Sequence, residues 1–229
     1  MARTTPARTR QRGFLSRELI IREALALLDE QGAGALSMRR LADRLGVAPN
    51  ALYTHVRGKA DLVDGLIDQV YAGLDLDPDP AGDWSERLAV ISQAVRAQLL
   101  AHPAVVPLAL QQPGLGPNGL RLGEAIYRVL RAAGFPDQAV VGTVYALLTY
   151  ILGFVALEVP RAGTDPRTSD EFVRRLQSFF AALPPGEFPH TVQLAALLAR
   201  ISTDDQFRFG IRTFLAGLEA QQPGRTHPA

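Results

Sequence analysis

The side chains best suited to bind a charged partner are concentrated in the first quarter of the chain. Residues 1–59 contain eleven Arg or Lys against five Asp or Glu, whereas residues 60–229 contain thirteen against eighteen. The net charge of +1 therefore conceals two parts of opposite sign. The first fifteen residues carry no acidic group and four arginines: Arg3, Arg8, Arg10 and Arg12. Such a segment is typical of chains that lie along phosphate groups, and the alternative is a solvated tail.

Lysine is far rarer than arginine in this chain. Lys59 is the single lysine among 24 basic residues, and it falls at the predicted start of a helix. A positive charge at that end opposes the helix dipole, but a phosphate bound by the ammonium and by the free N–H groups of the helix would compensate. Lys59 is therefore a candidate phosphate contact, and the alternative is an ordinary surface lysine.

The sequence contains no pattern typical of a catalytic or metal site. It has no cysteine, and His55, His102, His190 and His227 lack the spacing of zinc-binding motifs. No serine lies in a Gly-x-Ser-x-Gly turn, and the glycine-rich stretch 114–119 lacks the Lys-Ser/Thr of a phosphate-binding loop. We therefore predict a protein that is not an enzyme and that needs no metal or cofactor.

Two short helices are predicted to position the polar residues of the basic part. Ser37 can cap a helix over 38–45, Gly46 ends it, and Pro49 begins another that runs to about His55. Apolar residues on both are spaced to share a small core: Leu41, Ala42, Leu45, Val47, Leu52 and Val56. This pattern is a helix-turn-helix, whose second helix enters the major groove of DNA. The residues predicted to face the DNA there are Asn50, Ala51, Tyr53, Thr54 and His55.

Helical periodicity predominates along the rest of the chain, and alternating strand patterns are almost absent, so the predicted fold class is all-α. A three-helix DNA-binding unit is expected to precede a larger helical domain. The predicted parts are a basic disordered arm (1–15), a helix-turn-helix domain with a connecting fourth helix (16–74), a helical domain (83–220) and a disordered tail (221–229).

Two further expectations concern helix ends. Asp83 with Glu86 is predicted to form a capping box, and Pro160 is predicted to end a long apolar helix over 137–159.

The helix over 137–159 carries too many polar residues for a membrane span, and the basic N-terminus is followed by charges instead of a signal-peptide apolar block. The sequence thus indicates a soluble cytoplasmic protein with no membrane partner.

Residues 16–72 resemble the DNA-binding domain of the TetR family of bacterial transcription repressors. The resemblance rests on a Gly-Val turn, a Leu-Tyr-x-His sequence and a lysine that starts helix four, here Gly46, Val47, Leu52, Tyr53, His55 and Lys59. It implies that Tyr53, His55 and Lys59 contact phosphate and that Arg39 reads a guanine. Arg40, its neighbour, is expected to contact the DNA backbone or to lie on a solvated face.

A less specific resemblance to the regulatory domain of the tetracycline-repressor branch covers the later helices. It implies a homodimer formed through 137–159 and 204–220, a pseudo-palindromic operator and a small-molecule inducer. No histidine lies where that branch binds a drug-magnesium chelate, and His102 is expected to pack at a helix junction, so we expect an apolar inducer. The residues predicted to line its pocket are Val106, Leu110, Tyr145, Thr149, Gly153 and Phe154. The alternative for each of them is an ordinary position in the core. The alternative function is a helical small-molecule-binding or protein-interaction bundle that does not bind DNA.

Overall fold

The regular structure of the chain is helical throughout the residues that the computed structural model describes, which are 15–76, 82–112, 114–162, 170–198 and 203–222. This confirms the predicted all-α class. Eleven α-helices follow one another in these ranges: α1 (Arg17–Gln31), α2 (Met38–Leu45), α3 (Pro49–Leu52), α4 (Lys59–Tyr71), α5 (Trp84–Ala101), α6 (Val106–Ala109), α7 (Pro117–Ala132), α8 (Asp137–Ala162), α9 (Asp170–Ala181), α10 (Pro189–Leu198) and α11 (Thr203–Glu219). The predicted arm and tail lie almost wholly outside the described residues.

Helix α2 begins and ends where the sequence predicts, and α1 begins with a cap of the same kind. The hydroxyl oxygen of Ser16 accepts a hydrogen bond from the Leu19 amide, and that of Ser37 accepts one from the Arg40 amide, both at 3.2 Å. Each cap satisfies one of the free N–H groups of a first helical turn. After α2, Gly46 adopts the left-handed conformation with a φ of 69°, which glycine tolerates without steric cost.

Three helix ends differ from expectation. α3 ends at Leu52 instead of near His55, because the chain turns there and the Leu52 carbonyl accepts from the amides of both His55 and Val56 at 3.0 Å. α8 continues two residues beyond Pro160, since a proline in the last turn removes one hydrogen bond and still has a helical φ. The prediction of a capping box at Asp83 is wrong. The Asp83 carboxylate accepts a hydrogen bond from the Ser85 hydroxyl at 2.8 Å and makes no capping bond to the helix.

α4 connects the N-terminal helices to the rest of the fold. It packs against α1 on one side and against α5, α6 and α7 on the other. Gly65 allows the close approach to α1, because a Cβ there would lie 2.6 Å from Cδ1 of Ile21. Buried apolar side chains from Ile20 in α1 to Leu218 in α11 form one continuous core, and α4 contributes to it along its whole length.

α8 is the longest helix, and it is only partly covered. It packs against α5, α6, α7 and α11. Within the described ranges, it is the one helix that by length and composition could cross a membrane, over Asp137–Val159, and a third of its apolar window is buried inside the protomer. Val141, Tyr145 and Leu157 are exposed on it. α9 and α10 pack mainly against each other.

Candidate nucleic-acid interface and internal cavity

The two short helices α2 and α3 form the predicted helix-turn-helix. Leu41, Ala42, Leu52 and Val56 are at most 1% exposed and pack together, while the half-buried Leu45 and Val47 lie against them. This confirms the predicted core of the motif. Because the apolar side of α3 is buried, its polar side is left for contact with a partner.

All eight residues predicted to contact DNA are accessible at the surface of this motif. Arg39, Arg40, Asn50, Tyr53, Thr54 and Lys59 are exposed, and Ala51 and His55 are partly exposed. They lie on α2, on α3 and the turn after it, and at the first residue of α4. We call these eight residues the reading surface. Within it, the Thr54 hydroxyl donates to the Ala51 carbonyl at 2.7 Å.

The basic side chains of the N-terminal helices divide into paired and unpaired groups. Arg44 donates to Glu30 at 2.6 and 2.8 Å and to Glu23 at 3.0 Å, and so joins α2 to α1. In contrast, the side chains of Arg39, Arg40 and Lys59 make no ion pair or hydrogen bond with any residue that the structure describes. None of the described residues neutralises their charge, so it can attract phosphate groups.

An ion pair that the sequence analysis missed holds the reading surface against α1. The Arg17 guanidinium donates to both carboxylate oxygens of Asp61, at 2.8 and 2.9 Å, and to the backbone carbonyl of His55 at 3.3 Å. The hydrogen bond from Arg17, helped by one from the Arg57 amide, lowers the pKa of Asp61 to about 2. Because this pKa lies below that of the unfolded chain, the ion pair stabilises the fold above pH 4, and its contribution is lost as the pH falls toward 2.

A cavity of about 410 Å³ lies between α4, α7, α8 and the loop that precedes α7. Its volume is in the range of small-molecule sites. None of the described residues that line it is charged. Its polar groups and rings come from Gln112, from Tyr71 of α4, from Tyr127 of α7, and from Tyr145 and Thr149 of α8. The wall is therefore suited to an uncharged ring-bearing ligand.

Two of the six residues predicted to bind a ligand line this cavity, namely Tyr145 and Thr149. The other four are not among its described lining residues. Val106 is buried in the core, Leu110 is 55% exposed, and Gly153 is exposed further along α8. Phe154 packs on Phe207 with ring centroids 5.2 Å apart. The contribution of α4 was not predicted, although Ile67 and Tyr71, four residues apart, lie on one face of that helix and make it apolar.

Two other polar groups of the later helices have structural partners. His102 lies at the junction after α5, as expected, with its Nδ1 2.9 Å from the Asp29 carboxylate of α1. Arg96 is buried between α5, α8 and α11, where it donates to Glu158 at 2.5 and 2.9 Å and to Asp204 at 2.7 Å. Across the described ranges, no group of three or more His, Asp or Glu side chains is placed to hold a metal ion.

A single helix, α4, starts at a basic helix-turn-helix and ends in the wall of an uncharged cavity. This arrangement defines a transcriptional regulator in which DNA binding and small-molecule sensing share one polypeptide. Residues 20–66 match the bacterial regulatory proteins of the tetR family, and residues 77–222 match the tetracyclin repressor-like C-terminal domain. The chain belongs to the TetR family of DNA-binding transcriptional regulators. The predicted ligand-responsive repressor function is confirmed at the level of this family, and the alternative bundle without DNA binding is not supported.

Individual relatives agree with this assignment. An HTH-type transcriptional regulator of Saccharopolyspora erythraea is 34% identical over 79% of this chain and 78% of its own. The HTH-type transcriptional repressor DrrR1 of Streptomyces coeruleorubidus is 28% identical over 93% of this chain and 82% of its own. The TetR family protein ActR of Streptomyces coelicolor, in complex with actinorhodin, superimposes with a TM-score of 0.84 at 29% identity over 93% of this chain and 99% of its own.

Proposed function

We propose that this regulator is a homodimeric repressor in the bacterial cytoplasm, where it binds a pseudo-palindromic operator at the nucleoid and is released by a small, mainly apolar molecule. The observation that carries the proposal is the charge of Arg39, Arg40 and Lys59 around the exposed side of α3, which no side chain in the described residues pairs. In this proposal, residues 16–74 bind the operator and 83–220 bind the ligand and the second subunit. The arm at 1–15 lies along phosphates, and the tail at 221–229 has no assigned role.

The residues of the reading surface divide between base and phosphate contacts. Arg39 is proposed to read a guanine, because a bidentate arginine is the most frequent specific contact in the major groove. Asn50, Ala51 and Thr54 are proposed to face base edges from α3 and the turn after it. Four residues are proposed to position the protein on the DNA backbone: Arg40, Tyr53, His55 and Lys59.

Alanine substitution at Lys59 and Arg39 should separate these two kinds of contact. Lys59→Ala is expected to weaken binding to all duplexes alike and to reduce the slope of log affinity against log salt by about one. Arg39→Ala is expected to cost about 1–3 kcal/mol on the operator and to relax the preference at one base pair. Gel-shift titrations at several salt concentrations, on duplexes that differ at single positions, measure both effects.

The matched control for that experiment is Arg22→Ala, which removes an exposed arginine of α1 outside the reading surface. This variant should bind as the wild type does. If Lys59→Ala left both affinity and salt slope unchanged, Lys59 would not contact phosphate. Equal losses on every duplex for Arg39→Ala would contradict base reading by this residue.

An uncovered face on α8 and α11 supports the homodimer. Small residues including Gly142, Ala146 and Gly217 line a groove between these helices, and the exposed Phe209 lies two turns before Gly217 on α11. Small residues allow helices of two subunits to approach closely, and two copies of this helix pair would form a four-helix bundle. A two-fold axis through that bundle matches a pseudo-palindromic operator.

The cavity supports an uncharged inducer with rings. Its wall has no charged residue among those described, and it carries the rings of Tyr71, Tyr127 and Tyr145. ActR, whose structure was solved in complex with actinorhodin, is a relative that binds a small molecule. We propose Tyr145 and Thr149 as further contacts.

Release of DNA requires a ligand that prefers a conformer in which the two reading surfaces no longer match the operator. α4 is the proposed connection, because Ile67 and Tyr71 line the cavity while Lys59 belongs to the reading surface. An inducer should therefore bind the operator complex more weakly than the free protein, by the same factor by which it weakens operator binding. Calorimetric titration of uncharged fused-ring compounds, with and without hydroxyl groups, tests this. A compound whose affinity is indifferent to operator would contradict the coupling.

A further inference from the structure

The first turn of α7 is capped by a side chain from another helix. The residue before α7, Gly116, has no side chain to cap it. Asp68 of α4 supplies the carboxylate instead: its Oδ1 accepts from the amides of Asn118 and Gly119 at 2.7 and 3.1 Å, and its Oδ2 accepts from the Asn118 side chain at 2.9 Å. The Asn118 amide group also donates to the Asp68 backbone carbonyl at 3.2 Å. A carboxylate at this end satisfies free N–H groups and is favoured by the helix dipole.

Glycines in the loop before α7 allow this contact to be close. A Cβ at Gly116 would overlap the Asp68 carboxylate. A Cβ at Gly114 would lie 2.8 Å from Cγ2 of Ile67 and 3.2 Å from Cε2 of Tyr71. The loop is thus fitted to the second half of α4 over more than one helical turn, and a larger residue at either glycine would push the two apart.

We propose that Asp68 is a positioning residue for operator binding, an inference that rests on the proposed function. Asp68 lies nine residues along α4 from Lys59, about 14 Å, and belongs to no part of the reading surface. Its hydrogen bonds fix the second half of α4 to α7, and this sets where the reading surface stands relative to the dimer interface. Gly114 of the loop and Gly119 of the capped turn of α7 also line the cavity, together with Ile67 and Tyr71 of α4. A ligand in the cavity would therefore contact both of the helices that this cap joins.

Without the cap, α4 would occupy a range of positions, and only a fraction of dimers would match the half-site spacing. Apparent operator affinity falls in proportion to that fraction, while non-specific binding, which needs no fixed spacing, does not. Two variants break the contact by different means. Asp68→Asn removes the charge that the amides of α7 bind, and Gly116→Ala places a methyl group against an intact carboxylate.

The test uses a duplex that the wild-type protein selects from a random-sequence pool, a scrambled duplex, and the selected duplex with one base pair added between its half-sites. Both variants are expected to bind the selected duplex about tenfold more weakly and the scrambled duplex equally well. The ratio of their affinities for the selected and the lengthened duplex should be smaller than in the wild type. Substitution of a residue that only stabilises the fold would not change this ratio. Asn118→Ala, which removes one donor, should give a smaller loss in the same direction.

The controls are Asp64→Asn, an exposed carboxylate one turn earlier on α4, and Gly186→Ala, where a Cβ would meet open space. Both should behave as the wild type. A lower melting temperature for Asp68→Asn with unchanged operator affinity and spacer preference would overturn the inference and leave Asp68 as a helix cap only. A wild type that selects no sequence would contradict the proposed function and with it this inference, so the two failures are distinguishable.

Discussion

Replacing Arg96 by alanine is expected to destabilise the protein by about 3–5 kcal/mol, because it leaves the carboxylate of Glu158 buried without a partner. The Arg96 side chain is 8% exposed, and its guanidinium carbon lies 5.0 Å from the centroid of the Phe207 ring. The substitution therefore removes packing as well as charge. Urea unfolding followed by circular dichroism measures the change in the free energy of unfolding.

Two comparisons show whether the uncompensated charge is the cause. Arg208→Ala removes a half-exposed arginine that also pairs with Asp204, at 3.8 Å, and should change stability by less than about 1 kcal/mol. The double variant Arg96→Met with Glu158→Gln removes both buried charges and should recover a large part of the loss. The free energy lost in the double variant is compared with the sum of the losses in Arg96→Met and Glu158→Gln alone. If the two were equal, lost packing and not the unpaired carboxylate would be responsible.

Replacing Phe209 by glutamate is expected to convert the proposed dimer to monomers at micromolar concentration. Phe209 is 65% exposed in the protomer, so the new charge is solvated in the monomer and desolvated only in the proposed interface. The proposed two-fold axis would place the substitution twice in each dimer, which doubles the penalty. Sedimentation velocity measures the oligomeric state, and operator affinity should fall with it, because one half-site supplies only part of the contacts.

Val90→Glu is the matched control, since Val90 is a similarly exposed apolar residue on α5, outside α8 and α11. It should remain dimeric. A wild type that sediments as a monomer, or a Phe209→Glu variant that stays dimeric, would contradict the proposed interface through α8 and α11.

The features that could be predicted from the sequence are those marked by residues that lie close together along the chain. Ser37 and Gly46 are separated by one short helix and mark its two ends, so the helix-turn-helix follows from neighbouring residues. The ion pairs and hydrogen bonds that join distant helices have no such signal. Arg96 and Glu158 are 62 residues apart, and Asp68 and Asn118 are 50 apart, so only the packing of distant helices brings them together.

The ligand-binding residues show the same limit within one helix. Periodicity predicts that α8 has an apolar side, but it does not say which neighbour each residue faces. Tyr145 and Thr149 face α4 and α7 across the cavity, whereas Phe154, further along α8, is turned toward α11, where it packs on Phe207. The contribution of Tyr71 follows from the position of α4 between α1 and α7.

Because the core is continuous, substitutions that abolish repression should be spread over the whole fold. Buried side chains run without interruption from Ile20 through Leu66 to Leu218, so the DNA-binding helices cannot lose their packing while the rest keeps its own. Heat should therefore melt the protomer in one cooperative transition, and a ligand in the cavity should protect the helix-turn-helix from melting as well. Substitutions that lower the folded fraction would then reduce operator occupancy wherever they fall. A screen for loss of repression should return positions spread along all the core helices, far beyond those that touch DNA.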